Sequence, residues 1–204
     1  MAEKRRVEIA GGMFHVTGRG NAQSEIFLDE IDYMVYLRVL ATVVARFGWI
    51  CHSYCLLPNH VHVFLETPEP NLGKGMRILN GMYAQRFNGR YERVGHVFQG
   101  PYKAESLIRD RHLLEVCRYI PMNPVRAGLC DDPASWPWSS YSALAGLSEP
   151  PSFLEIRFVR SLFGGSDGYR AFVAGRGTAA TWSRLGREQV AGHDRNEPNG
   201  GLVV

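Results

Sequence analysis

The 204 residues carry 45% apolar side chains, enough for one ordinary core plus an appendage, and a net charge of only +3. No apolar run approaches the ~20 residues of a membrane-spanning helix, and the charged start Met1-Ala2-Glu3-Lys4-Arg5-Arg6 lacks the character of a signal peptide. Membrane and secreted disulfide-scaffold classes are set aside, a cytoplasmic protein is expected, and Cys51, Cys55, Cys117 and Cys130 read as reduced thiols in or near a core.

In chain order, Met13-Phe14-His15-Val16-Thr17 alternates as a strand does and stops at the turn Gly18-Arg19-Gly20-Asn21. A helix follows from Asp29, its N-cap, to about Phe47, with Tyr33, Val35, Tyr36, Leu37, Val39, Leu40, Val43, Val44 and Phe47 at helical spacing and Gly48 closing it. Trp49 to Leu57 and His60 to Glu66 read as two strands joined at Pro58-Asn59, a hairpin. After Thr67-Pro68-Glu69-Pro70, a second helix is predicted from about Leu72 to Asn88, ended by Gly89, with Met76, Leu79, Met82, Tyr83 and Phe87 buried. A strand at Tyr102 to Ile108 and a third helix from Asp110 to about Pro121 complete the order β-α-β-β-α-β-α. Its first six elements predict an α+β fold, the ferredoxin-like split β-α-β antiparallel sheet with two helices on one face. The other face is left for the third helix and a site.

The chemistry begins in the second strand of the hairpin. Side chains alternate along a strand, so His60 and His62 share one face while Val61, Val63 and Leu65 point into a core. Two imidazoles on a rigid element can hold one divalent ion and leave positions open for substrate. The residues alone leave two unrelated strand histidines as an equal alternative. Between Asn71 and Ala104, Lys74, Arg77, Arg86, Arg90, Arg93 and Lys103 face Glu92 alone, an excess larger than the net charge of the whole chain, and Tyr83, Phe87, Tyr91, Phe98 and Tyr102 are interleaved. Cations that track a backbone and rings that stack on bases suit single-stranded nucleic acid; a solvated helix face over ordinary core aromatics gives the same pattern.

On the third helix, Tyr119 and Asn123 are four residues apart and share a face if the turn stays helical. A free phenol, with a pKa of about 10, needs a polarised phosphorus or a neighbouring base to act as a nucleophile at neutral pH. Pro121 and Pro124 predict a kinked or loosened helix end.

Four blocks in collinear order carry a family resemblance: His15-Val16-Thr17-Gly18-Arg19-Gly20-Asn21; Tyr54-Cys55-Leu56-Leu57-Pro58-Asn59-His60-Val61-His62; Gly95-His96-Val97-Phe98-Gln99-Gly100; and Arg118-Tyr119-Ile120 through Asn123-Pro124-Val125-Arg126-Ala127-Gly128-Leu129. Over about residues 13 to 146 the chain resembles the REP-associated tyrosine transposases, relatives of the single-tyrosine insertion-sequence transposases of the HUH superfamily. It departs from them at Pro101, where an arginine is usual. The resemblance implies a single-strand DNA endonuclease and strand transferase acting on imperfect hairpins from repetitive extragenic palindromes. It implies Tyr119 as the nucleophile, forming a 5′-phosphotyrosine link, with His60, His62 and Asn123 holding Mg²⁺ or Mn²⁺. No nucleotide cofactor and no membrane partner are implied, and the chain is expected to act as a monomer, in cis, at the nucleoid. Arg19, Lys74, Arg77, Arg86, Arg90, Arg93 and Lys103 become the DNA contacts. His15, on a neighbouring strand, becomes a support for the metal pair or a substrate contact.

The expected organisation is a catalytic domain over 1–130, a tryptophan-rich arm with short helices over 131–175, and a disordered tail over 176–204. Two other readings differ in chemistry. A domesticated hairpin-binding module would bind without cutting, and a hydrolytic nuclease would use water in place of Tyr119.

Overall fold

The structure, a computed structural model, describes residues 8–107 and 110–176. Four strands, β1 (Gly12–Arg19), β2 (Ile50–Leu57), β3 (His60–Thr67) and β4 (Lys103–Ser106), form one antiparallel sheet in the order β2-β3-β1-β4. This is the predicted split β-α-β arrangement, with β1 and β3 in the middle. Helices α1 (Glu30–Phe47) and α2 (Leu72–Arg90) cover one face. Alternation sends Phe14, Val16, Val61, Val63 and Leu65 into that layer, where Tyr36, Leu40, Val43, Met76, Leu79 and Tyr83 meet them.

The caps of α1 are those the sequence predicts. Asp29 accepts hydrogen bonds from the backbone N–H groups of Ile31 and Asp32 at 3.0 and 3.2 Å, and Gly48 takes the left-handed conformation at φ 63°. Helix α2, by contrast, runs through Gly89 to Arg90. Its last turn is held from outside: the Arg90 guanidinium clasps Asp29 and Asp32, and Tyr91 donates to Asp32 at 2.8 Å. A tertiary anchor thus outweighs the cost of a glycine near a helix end, about 1 kcal/mol.

The opposite face carries α3 (Asp110–Arg126), which packs with α4 (Tyr141–Leu144), α5 (Arg157–Leu162) and α6 (Ser166–Val173) around Cys55, Leu57 and Phe64. The helix predicted to end at about Pro121 continues through both prolines to Arg126. Each proline removes one N–H and so leaves one carbonyl without its helical donor, Cys117 for Pro121 and Ile120 for Pro124. Tyr169 Oη donates to the Cys117 carbonyl at 3.2 Å, and Asn123 Nδ2 to those of Tyr119 and Ile120 at 2.8 and 3.3 Å. Side chains replace the missing donors, so the helix continues. Asn123→Ala should therefore cost about 1–2 kcal/mol, read as a lower urea midpoint with unchanged m value, because a buried carbonyl loses its donor.

Residues after α3 brace an edge of the sheet. The Leu56 N–H donates to the Trp138 carbonyl and the Ser140 N–H to that of Tyr54, both at 2.9 Å, so the outer edge of β2 is partly paired. Trp138 stacks on Tyr33, and Trp136 Nε1 donates to the Leu56 carbonyl. A bulge between Cys51 and Ser53 puts Cys51 in the α1/α2 layer while Cys55 lies in the α3 layer. Two buried cysteines on opposite faces cannot share a metal, so their reading as core residues holds. The Ile108 end of the predicted fourth strand and the tail from 177 onward lie outside the described residues.

Candidate active site

An open cleft of about 650 Å³ lies between the sheet and α3, lined among others by His15, Thr17, Arg19, His60, His62, Lys103, Glu115 and Tyr119. Strand register builds its floor. In the antiparallel β1/β3 pair, Arg19 stands opposite His60 and Thr17 opposite His62, and alternation turns all four to the α3 side. Gly20 follows where only a glycine fits: a Cβ there would come within 2.0 Å of the Ser24 carbonyl oxygen. That tight return lets the Gly20 N–H donate to the Asn59 carbonyl at 2.8 Å, tying the end of β1 to the turn before His60.

The three groups singled out by sequence converge here. The His60 and His62 rings lie 5.0 Å apart centre to centre, edge to face, and Tyr119 meets the His62 ring at 5.3 Å and the His15 ring at 5.7 Å. Helix α3 brings Tyr119 over the floor with 37% of its surface exposed, and the Arg126 guanidinium sits 5.0 Å from the ring centre. The phenol is held by packing and a cation–π contact, with its ring in the cleft.

Burial works against a positive charge on each imidazole. Burial, assisted by His15, His60 and Arg19, pushes His62 down to about 2. Burial and then Arg19 lower His60, and burial lowers His15 against an opposing pull from Glu105. His60 Nδ1 lies 2.6 Å from Asn59 Oδ1 and His62 Nδ1 lies 2.9 Å from His15 Nε2. His62 Nε2 is buried with no hydrogen-bond partner among the described residues. Among the described residues, no group of three or more His, Cys, Asp and Glu side chains forms a ready ligand set. The two imidazoles predicted to hold a divalent ion, His60 and His62, sit side by side here.

Other predicted residues are placed differently. Asn123 is buried and does not line the cleft; its amide nitrogen serves the helix carbonyls, which leaves Oδ1 without a hydrogen bond among the described residues. Of the seven cations, Arg19 and Lys103 line the cleft. Lys74, Arg77 and Arg86 are exposed on α2, which belongs to the layer on the far side of the sheet. Arg90 is engaged by Asp29 and Asp32, and Arg93 lies over the Phe87 ring at 5.6 Å. The basic run is therefore not one surface with the histidines. Sequence reasoning missed Glu105, His112 and Glu115, which also line the cleft. Glu115 carried a signal, since it precedes Tyr119 by four residues and so shares its helix face.

Comparison with known proteins bears on the family and the fold. The family model described as "Transposase IS200 like" matches residues 9–123. A Haemophilus influenzae protein named as a REP-associated tyrosine transposase is 23% identical over 159 residues, 69% of this chain and 86% of its own. A REP-associated tyrosine transposase solved bound to a REP hairpin superposes with a TM-score of 0.62 at 20% identity, covering 76% of this chain and 92% of that one, a likeness of fold. Since the matched span runs from the segment before β1 through both histidines to Tyr119 and Asn123, more than half of the sequence, the chain belongs to the IS200-like transposase family.

Proposed function

We propose that this transposase cleaves and rejoins single-stranded DNA at hairpins of the repetitive extragenic type, through a covalent tyrosine intermediate and with Mg²⁺ or Mn²⁺. The observation that carries the reading is the convergence of His60, His62 and Tyr119 in one cleft. The fit to a divalent ion rests on His62 Nε2, a buried nitrogen without a partner, beside His60, whose Nδ1 is occupied by Asn59. Asn123 Oδ1 is the proposed third donor, and it reaches the ion only if the side chain turns from the helix carbonyls toward the cleft, which it does not line here. When bound, the ion neutralises charge on a nonbridging phosphate oxygen.

The chain's own groups do the rest. Arg19 and Lys103 hold phosphates along the cleft. Tyr119 Oη attacks phosphorus, a 5′-phosphotyrosine ester forms and a 3′-hydroxyl leaves. The ester retains the energy of the broken bond for rejoining, so no nucleotide cofactor is required. Tyr119 and both histidines belong to one chain and already adjoin, which supports a monomer acting in cis. We assign this chemistry to residues 1–130, with 131–175 as the brace on β2. Among the described residues no helix is long and apolar enough to cross a membrane.

The test uses labelled hairpin oligonucleotides from repeats flanking the source gene, incubated with Mn²⁺ or Mg²⁺ and run on a denaturing gel. Wild type should give a denaturation-resistant adduct and a cut strand, both absent in His60→Ala. A native-gel shift with neither product would leave a hairpin-binding module in place of an enzyme.

A further inference from the structure

We infer that His15 and Asn59 are positioning residues that set the tautomers of His62 and His60, so that both imidazoles keep an unprotonated Nε2. This deepens the metal reading above and rests on it.

The hydrogen bonds decide the protons one at a time. Asn59 Nδ2 donates to the Gln23 carbonyl at 3.2 Å, which fixes the amide with Oδ1 toward His60. A carbonyl oxygen accepts only, so the 2.6 Å contact requires a proton on His60 Nδ1. A neutral imidazole with its proton on Nδ1 carries a lone pair on Nε2.

His62 poses a real choice, because either ring of the His15–His62 pair could donate across 2.9 Å. If His15 Nε2 donated, the neutral His62 would carry its proton on Nε2. That nitrogen is buried without a partner among the described residues, and a buried donor without an acceptor is costly. If His62 Nδ1 donates instead, its Nε2 becomes a lone pair and no donor is stranded. His15 then keeps its own proton on Nδ1. Across the β1/β4 pair His15 stands opposite Glu105. Thr17 Oγ1, 3.5 Å from His62 Nδ1, is too distant to replace His15.

The two devices come from separate elements. Asn59 belongs to the turn that opens β3, and His15 to the adjacent strand β1. Each approaches its histidine at Nδ1, so both Nε2 atoms are left for the ion. A merely apolar neighbour would support the rings but would not choose the nitrogen.

Two measurements test this. Nitrogen-15 NMR of histidine-labelled, metal-free wild type should show His60 and His62 protonated on Nδ1 and His15 unprotonated on Nε2. A proton on His62 Nε2 overturns the inference whether or not a metal binds. Mn²⁺ affinity, followed by the signal of free Mn²⁺, should fall about 10- to 100-fold in His15→Phe and in Asn59→Leu. His15→Gln, which can again accept from His62 Nδ1, should recover most of the loss. Equal Mn²⁺ affinity in wild type and His15→Phe would overturn the role of His15. If wild type binds no Mn²⁺, the metal reading fails, while the NMR result still decides the tautomers.

Discussion

Tyr119→Phe should abolish the protein–DNA adduct and lower strand cleavage by about 10³-fold or more, while hairpin affinity stays within about threefold of wild type. The substitution removes one oxygen and keeps the ring. Edge contacts with His15 and His62, and the guanidinium of Arg126 over the ring face, all involve ring atoms that phenylalanine retains. Folding and strand binding are thereby separated from chemistry. Two gels and a filter-binding curve suffice. Cleavage at an undiminished rate without an adduct would mean that water is the nucleophile and that the cleft is a hydrolytic site. An adduct that survives would place the link on another residue.

Much of this site was legible because strand chemistry is local. Alternation alone put His60 and His62 on one face with Val61, Val63 and Leu65 behind them, and the sheet order then set His15 and Arg19 beside them. The caps of α1 were legible for the same reason, since Asp29 and Gly48 act on their own helix. What was not legible depended on distant partners. Pro121 reads as a kinked or loosened helix end until Tyr169, 48 residues later, donates to the Cys117 carbonyl that it orphans. Gly89 reads as a helix end until Asp29 and Asp32, some 60 positions earlier, hold Arg90. The basic run reads as one groove because charge counting does not know the layer; α2 faces away from the histidines, and Arg19 and Lys103 reach the cleft from strands. Helix α3 was placed correctly opposite α1 and α2, yet its length and the turned-back amide of Asn123 follow from hydrogen bonds that no spacing rule contains.

His52→Leu should destabilise the fold by about 2 kcal/mol near pH 5.5, with a smaller loss at alkaline pH. His52 lies at the β2 bulge, 2% exposed, between the rings of Phe64 and Phe158. Its Nε2 is 3.1 Å from Glu66 Oε2, and its Nδ1 is 3.6 Å from Glu155 Oε2, an ion-pair distance rather than a hydrogen bond. Glu155 also accepts from the N–H groups of Arg157 and Phe158, so one imidazolium joins β3 to the start of α5. Leucine would keep the contact with both rings but leave two carboxylates without their shared cation. Because those carboxylates are partly open to water, the cost falls below the ~3–5 kcal/mol of a fully buried pair. Burial alone would lower the His52 pKa, but Glu155 and Glu66 outweigh it and raise it above 6.5. Its contribution is therefore complete below about 6.5 and lost as pH rises through the folded value. The Glu155 carboxyl, held down to about 2 by His52, contributes fully above its ordinary 4.5 and loses that as pH falls toward 2. The two conditions overlap between about pH 4.5 and 6.5, where the arm is held most firmly to the sheet. Urea unfolding of wild type and His52→Leu at pH 5.5 and 8.5 measures the difference directly. A gap that is equal at both values would mean that the histidine acts through packing against Phe64 and Phe158, with no charge linking α5 to the sheet.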